Sequence, residues 1–358
     1  MPALIAIPPE ITERYIRFSY PDPEHDLAGV RLHQEVRRPR NGPEMSWDSA
    51  GGRWIVDFPR PRADRIEYMV ELTHTDGSTE VICDPFNQER TSGPFGDKSV
   101  VLFPGYSPPG WLSDEDTRGD IDAFDLRCRP FQGQMPILLW SPAGTDPAEP
   151  LPLLVANDGP EYGELSALIR FLEHFTGSGD LPRMRAALVG PVERDESYSA
   201  SAAYSRSFSH EIMPKILQRA PTPHGRRMRV GMGASLGALT MLHIHRRSPA
   251  TFGGLFLQSG SFFRQRYDSQ ESDFPRFRRI SRFVGEMLSR KDWVHPIPIT
   301  MTCGTIEENL RNNRAVRDSL SAQGYEVELI ENRDGHNWIG WRDTFEPHLL
   351  GLLQKVWA

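Results

Sequence analysis

The sequence predicts a two-part chain: an antiparallel β-sandwich, then an α/β domain on a mostly parallel sheet with helices on both faces. Three observations lead there. The early part of the chain alternates apolar and polar residues with period two, in short runs broken by Pro, Gly, Asn and Asp. Later, short apolar strands alternate with stretches whose apolar residues recur every three to four positions, the pattern of successive βα units. A Pro- and Gly-rich stretch separates the two regimes. The length of 358 residues suits two domains, at roughly 100–200 residues for each.

Residues 14–20, 29–36, 53–58, 65–72 and 79–83 read as strands, with a turn at Asp76-Gly77, and place a sandwich domain over 1–93. Residues 94–119 read as a connector. Pro94, Pro104, Pro108 and Pro109 stand there among Gly93, Gly96, Gly105 and Gly110, with Tyr106 and Trp111 packed against one domain. The second domain is placed over 120–358. It opens with two antiparallel strands near 121–129 and 136–141. Strands at 151–156, 184–189, 228–232, 254–257, 297–303 and 325–330 then alternate with helices at 165–175, 204–217, 236–246, 309–322 and 343–357. Between Ser261 and Pro296 the alternation is interrupted by an insert holding Arg264, Arg266, Arg276, Arg278, Arg279, Arg282 and Arg290. It follows the carboxyl end of a strand, where open α/β sheets place their binding crevice. Two readings stand: a basic lid over an anionic substrate, or a solvated helical face balanced by Asp268, Glu271, Asp273, Glu286 and Asp292.

Composition removes several classes of function. Lys plus Arg number 41 against 48 Asp plus Glu, a net charge of -7, whereas a dedicated nucleic-acid binder carries a basic excess. No apolar run approaches the roughly 20 residues that span a bilayer, so no membrane partner is expected. The apolar start, 1–7, lacks a basic n-region, a long h-region and a cleavage site, so no signal peptide is read and a cytoplasmic location is expected. Cys83, Cys128 and Cys303 are odd in number and widely spaced, which predicts reduced thiols; no metal site and no cofactor are read. Oligomeric state is not legible.

The chemistry centres on Gly233-Ala-Ser235-Leu-Gly237. An apolar strand precedes it and an apolar-periodic helix follows, and a strand–G-x-S-x-G–helix unit is a nucleophile elbow. The glycines permit the sharp turn, and the helix start offers N–H groups, that of Leu236 among them, to an oxyanion. A dinucleotide-binding reading fails because the third glycine would fall at Leu236. Serine needs a base. His336, in Asp334-Gly-His-Asn-Trp-Ile-Gly-Trp341, lies between the last strand and the last helix, where an α/β hydrolase puts its histidine. His243 and His245 lie mid-helix and face apart, and His210 lacks a metal-binding partner because Pro214 stands four residues on. The orienting acid is expected after the strand ending at Gly304, at Glu307 or Glu308, or at neither if both merely cap the next helix. A second oxyanion donor is expected in Asn157-Asp-Gly-Pro-Glu-Tyr162, from Gly159, Glu161 or a neighbour, since Pro160 has no N–H.

Together these pieces resemble the enterochelin esterase group of the esterase D and antigen 85 superfamily. The resemblance rests on Asn157-Asp-Gly159, on Arg194 and Glu196, on the serine elbow, on Gly304-x-x-Glu307 and on Asp334-Gly-His-Asn-Trp338, and spans most of 120–358. It implies an α/β-hydrolase domain behind an immunoglobulin-like sandwich similar to carbohydrate-binding modules, a likeness that Asp84-Pro-Phe-Asn87 supports. The implied function is a cytoplasmic serine hydrolase that opens esters of imported catecholate siderophores through an acyl-enzyme. Ser235, His336 and Glu307 would be catalytic, with Leu236, Gly159, Glu161, Arg194 and Trp338 at the oxyanion and substrate site. The partner would be a small-molecule ester, such as an anionic ferric siderophore, drawn by Arg194 or the arginine-rich insert. Two alternatives stand: acyl transfer of the antigen 85 type, and a catalytically degenerate protein that binds a carbohydrate or partner.

Overall fold

The computed structural model describes residues 6–38, 42–113, 119–290 and 295–358; Asp292, most of the apolar start and part of the connector lie outside them. The chain divides into two compact units. One comprises the residues up to Ser107 together with Gly304–Glu308 and Arg333–Asn337, the other Pro108–Cys303, Asn309–Asn332 and Trp338–Ala358.

The first unit is antiparallel. Its strands are β1 (Glu10–Ile11), β2 (Tyr15–Pro21), β3 (Leu27–Gln34), β4 (Ser46–Asp48), β5 (Arg53–Pro59), β6 (Arg65–His74), β7 (Thr79–Ile82), β8 (Arg90–Thr91) and β9 (Lys98–Leu102). They form two sheets, β1-β2-β5-β4 and β3-β6-β9-β8, with β7 on β6. Period two decides which side chains go inward: Ile16 and Phe18 of β2, Val30 and Leu32 of β3, and Val70 and Leu72 of β6 share one core. Strand β9 lies inside the stretch read as connector. Its burial at Ser99, Val100 and Val101 comes from a run too short to stand out among the neighbouring prolines and glycines. Trp111, from the same stretch, packs edge-on against Phe171 in the second unit, with ring centroids 5.5 Å apart.

The second unit holds an eight-stranded sheet, built from β10 (Asp120–Cys128), β11 (Gly133–Ser141), β12 (Leu153–Asn157), β13 (Arg185–Val189), β14 (Arg229–Ala234), β15 (Gly254–Gln258), β16 (Ile299–Gly304) and β17 (Val327–Asn332). The order is β10-β11-β13-β12-β14-β15-β16-β17. Strands β10 and β11 pair antiparallel, as does β11 with β13, while the pairs from β13 through β16 are parallel. Leu153 and Val155 enter one core while Leu154 and Ala156 enter another. Both faces of the sheet are therefore covered, which explains why β12, β13 and β15 are continuous apolar runs.

One helix departs from the sequence reading, and another falls where a helical face is one of two readings. The loop expected at 157–162 turns into helix Gly159–Leu165 ahead of helix Leu168–Ser178. The arginine-rich insert contains helix Phe277–Ser289, which buries Phe277, Ile280, Val284 and Met287. No helix among the described residues is long and apolar enough to cross a membrane.

Candidate active site

Ser235 joins β14 to helix Leu236–Arg247 with φ 55 and ψ -120. A non-glycine residue occupies that region only when its surroundings force it. Here the Ser235 N–H donates to the Gln258 carbonyl at 2.8 Å, and its own carbonyl accepts from Leu239 N at 3.2 Å and Ser261 N at 3.1 Å. A Cβ on Gly233 would lie 2.6 Å from the carbonyl carbon of Gly237, so strand and helix approach this closely only over glycine. Ser235 Oγ is 2.9 Å from Ser261 Oγ. The N–H of Leu236 opens the helix, among the donors that have no acceptor within it.

The loop after β12 is shaped by its neighbour β13. Asp158 has φ 52, and a Cβ on Gly159 would lie 2.2 Å from Leu188 Cα. Close backbone approach therefore accounts for this glycine. Pro160 sits in the first turn of helix Gly159–Leu165, where a missing N–H costs nothing. Burial pushes the half-buried Glu161 carboxyl up, and its Oε2 has no hydrogen-bond partner among the described residues. Arg194 grips Asp158 with Nε at 2.8 Å and a second nitrogen at 2.7 Å, so the residue expected at the substrate ties the loops after β12 and β13 together. Trp338 opens helix Trp338–Arg342 and packs edge-on against Tyr162 at 5.1 Å and Trp341 at 4.9 Å.

Glu307 and His336 meet within the other unit. Glu307 Oε2 lies 2.7 Å from His336 Nδ1, and Glu307 Oε1 accepts from Gly304 N at 2.8 Å. The Glu307 side chain is 2% exposed and that of His336 33%. An ionised Glu307 assigns the proton to Nδ1 and leaves Nε2 as the basic nitrogen. A Cβ on Gly304 would stand 2.1 Å from the Asp334 carbonyl oxygen, so the two loops touch at backbone distance. Glu308 turns away and receives Arg38 at 2.8 and 2.9 Å. His243 is a core group: Nδ1 bonds Ser205 Oγ at 2.7 Å, and burial lowers its pKa to about 3. Burial lowers His245 to about 3 as well.

Four of the insert's seven arginines fall into two sets. Arg276 and Arg279 both pair with Glu196, which is not one of the balancing acids expected from sequence. Arg264 and Arg266 gather around the Tyr267 ring, 4.6 and 5.7 Å from its centroid, and Arg311 joins them at 3.8 Å. None of these three guanidinium groups has a carboxylate partner among the described residues, although the Arg264 backbone N–H donates to Asp268 Oδ2 at 2.6 Å. Asp268, expected to balance them, is held by Asn312 at 2.9 and 3.0 Å. Helix Leu310–Ala322, which carries Arg311, is tied to the loop after β15, since Asn313 Oδ1 accepts from Gly260 N at 3.1 Å. Among the described residues no three His, Cys, Asp or Glu side chains are placed to hold a metal ion.

Sequence reading did not single out Ser261 or Arg311, and it did not find that Asp158 pairs with Arg194. Ser259-Gly-Ser261 at the carboxyl end of a strand was the available signal for Ser261. Asp158 and Arg194 stand 36 positions apart, and no periodicity links them.

The chain matches no protein-family model. It is 25% identical over 278 residues to the iron(III) enterobactin esterase of Dickeya dadantii (strain 3937), a match covering 73% of this chain and 62% of that protein. It therefore spans less than two thirds of that relative. To the iron(III) enterobactin esterase of Escherichia coli (strain K12) it is 22% identical over 306 residues, 84% of this chain and 74% of the relative. The ferric enterobactin esterase from Salmonella typhimurium superposes with a TM-score of 0.77 at 19% identity, over 98% of this chain and 96% of that one. A ferulic acid esterase superposes at 0.56 and 14% identity, over 68% of this chain and 100% of its own. These likenesses establish an α/β-hydrolase-like fold. In sequence and in fold, the chain is a homologue of iron(III) enterobactin esterases.

Proposed function

We propose that this chain is a serine esterase that hydrolyses carboxylic esters through an acyl-enzyme, with catecholate siderophore esters as its substrates. The observation that carries the reading is the backbone of Ser235, held at φ 55 between β14 and helix Leu236–Arg247. Strain of this kind is retained where it aims a reactive side chain. The pair at 2.7 Å between Glu307 and His336 supplies the matching base.

In this mechanism His336 Nε2 takes the proton of Ser235 Oγ as Oγ attacks the ester carbonyl carbon. Negative charge develops on the carbonyl oxygen, and the Leu236 N–H is its first donor. Gly159, also at a helix start, is the second. The tetrahedral intermediate collapses, His336 hands the proton to the departing alkoxide, and an acyl-Ser235 ester remains. Water, deprotonated by His336, attacks that ester, the bond from the acyl carbon to Oγ breaks, His336 returns the proton to Ser235 Oγ, and the acid is released. Glu307 fixes the ring tautomer and stabilises the imidazolium formed in each half-reaction.

The substrate class rests on the relatives' names and on the three unpaired guanidinium groups around Tyr267. In a chain of net charge -7 such a cluster gives an anionic ester a local basic focus. The antiparallel unit is read as the immunoglobulin-like domain of those esterases. Ser235→Ala tests the assignment. The variant should fold, lose turnover of a p-nitrophenyl ester by about 10³-fold or more, and lose covalent labelling by a fluorophosphonate. Turnover close to that of the parent in a folded variant overturns it.

A further inference from the structure

Two short segments from far along the chain, Gly304–Glu308 and Arg333–Asn337, belong to the compact unit made by the first residues up to Ser107. They carry Glu307 and His336. We propose that Arg65, on β6, is a positioning residue for catalysis that clamps the His336 loop through Asn337 and Asp334, so that the antiparallel unit is part of the acid–base apparatus. The inference rests on His336 and Glu307 acting as assigned above.

Arg65 is one of the largest fully buried side chains in the protein, with 2% exposure. One terminal nitrogen donates to Asn337 Oδ1 at 2.6 Å and lies 3.6 Å from Asp334 Oδ2; the other donates to Glu67 Oε1 at 3.0 Å. Asp334 Oδ1 in turn accepts from Gly335 N at 2.6 Å and from Asn337 Nδ2 at 2.8 Å. The residues on either side of His336 are therefore both bonded to one carboxylate, and that carboxylate faces Arg65. Further ties hold the same segments. Asp64 N donates to the Arg333 carbonyl at 2.7 Å, Thr305 Oγ1 donates to the Arg62 carbonyl at 3.0 Å, and Ile306 packs on the core of the antiparallel unit.

A buried guanidinium is costly, and apolar residues of similar volume fill a core as well or better. Closing the core does not explain an arginine here; holding two polar groups of a particular loop does. Behind it, Lys98 bridges Glu67 at 3.4 Å and Glu35 at 2.7 Å, which offsets the second acid beside Arg65.

The arrangement also makes the loop sensitive to charge. The groups that act on Asp334 are Arg65 and Glu67 from β6 and the hydrogen bonds from Asn337 and Gly335; Tyr106 acts in turn on Arg65, Lys98 of β9 pairs with Glu67, and Arg333 and His336 are the other titratable groups of the same loop. Burial raises the Asp334 carboxyl to about 6, and Arg65 opposes that rise. Without Arg65, burial and Glu67 are opposed only by the hydrogen bonds from Asn337 and Gly335, and the Asp334 carboxyl moves further up, toward neutral pH. Once protonated it is a poorer acceptor for Gly335 N and Asn337 Nδ2, and the His336 loop loses its restraint.

The test compares Arg65→Gln, the double variant Arg65→Gln/Asp334→Asn, and Val30→Ala. The double variant removes both charges together, so no buried charge is left unpaired if the single variant fails to fold. Val30→Ala weakens the same core from β3, a strand outside both segments. Steady-state kinetics on a p-nitrophenyl ester across pH, with thermal unfolding of each protein, give the readout. Arg65→Gln should lose about 10- to 100-fold in kcat with KM within about twofold, as expected for a misplaced base, and its acid limb should move to higher pH. The double variant should lose kcat without that movement, and Val30→Ala should be less stable with the parent's kcat. Parental kcat and pH profile in either folded Arg65 variant overturn the inference, as does an equal loss in Val30→Ala. If Ser235→Ala or His336→Ala remains active, the catalytic assignment falls and the inference with it; if both are dead while the Arg65 variants are normal, only the inference falls.

Discussion

Glu307→Gln separates an orienting carboxylate from a helix-capping one. The Gly304 N–H, 2.8 Å from Glu307 Oε1, needs an acceptor, so in the variant the amide oxygen belongs there. The amide NH2 then faces His336 Nδ1, which lies 2.7 Å from Oε2 in the parent. An NH2 group only donates, so Nδ1 must accept and the ring proton moves to Nε2, where the base needs its lone pair. The opposite rotamer restores the tautomer but sets two donors against each other around a side chain that is 2% exposed, at a cost of about 1–3 kcal/mol. Losing the carboxylate charge beside the transient imidazolium adds about 1–2 kcal/mol. Together the loss is about 2–5 kcal/mol, roughly 30- to 5,000-fold in kcat. The assay is steady-state hydrolysis of a p-nitrophenyl ester, with KM and thermal unfolding recorded alongside. Glu308→Gln, whose parent pairs with Arg38, is the control and should stay within about twofold, as for an exposed ion pair. A folded Glu307→Gln within threefold of the parent's kcat, or an equal loss in Glu308→Gln, refutes the reasoning.

Two further outcomes are expected. Replacing Arg264, Arg266 and Arg311 by Gln should raise KM for an anionic aryl ester and spare a neutral one, and the parent's KM for the anionic ester should climb with salt, since screening acts over about 10 Å at 0.1 M; a flat salt response in the parent refutes the basic focus around Tyr267. Gly304→Ala, whose Cβ would stand 2.1 Å from the Asp334 carbonyl oxygen, should lower stability in a denaturant titration by roughly 2–4 kcal/mol. Gly285→Ala, in the open within helix Phe277–Ser289, should instead raise it by about 0.5–1 kcal/mol.

What the sequence reveals of this protein follows the range over which a signal acts. Buried parallel strands such as β12 and β15 are legible because both faces select apolar residues at every position. The turn at Ser235 is legible because it demands glycine two residues earlier, at Gly233. Helix Gly159–Leu165 is misread because Gly-Pro is weighed as turn chemistry, although proline suits a first helical turn and the glycine answers to the backbone of β13. Helix Phe277–Ser289 is obscured by arginine density, though Phe277, Ile280, Val284 and Met287 keep a helical spacing. Glu307 and Glu308 are adjacent and identical in chemistry, and the bonds with Gly304 N and His336 Nδ1 turn the first inward, while Arg38 takes the second. Arg65 is hardest of all. It sits in a strand whose alternation reads normally, and the partner that explains its burial stands 272 positions away. A domain boundary drawn from composition therefore assigns the loops after β16 and β17 to the sheet that precedes them in sequence, whereas their hydrogen bonds and burial assign them to the antiparallel unit. Sequence locality predicts the elements, and the deepest polar contacts, which obey no locality, decide which unit holds His336.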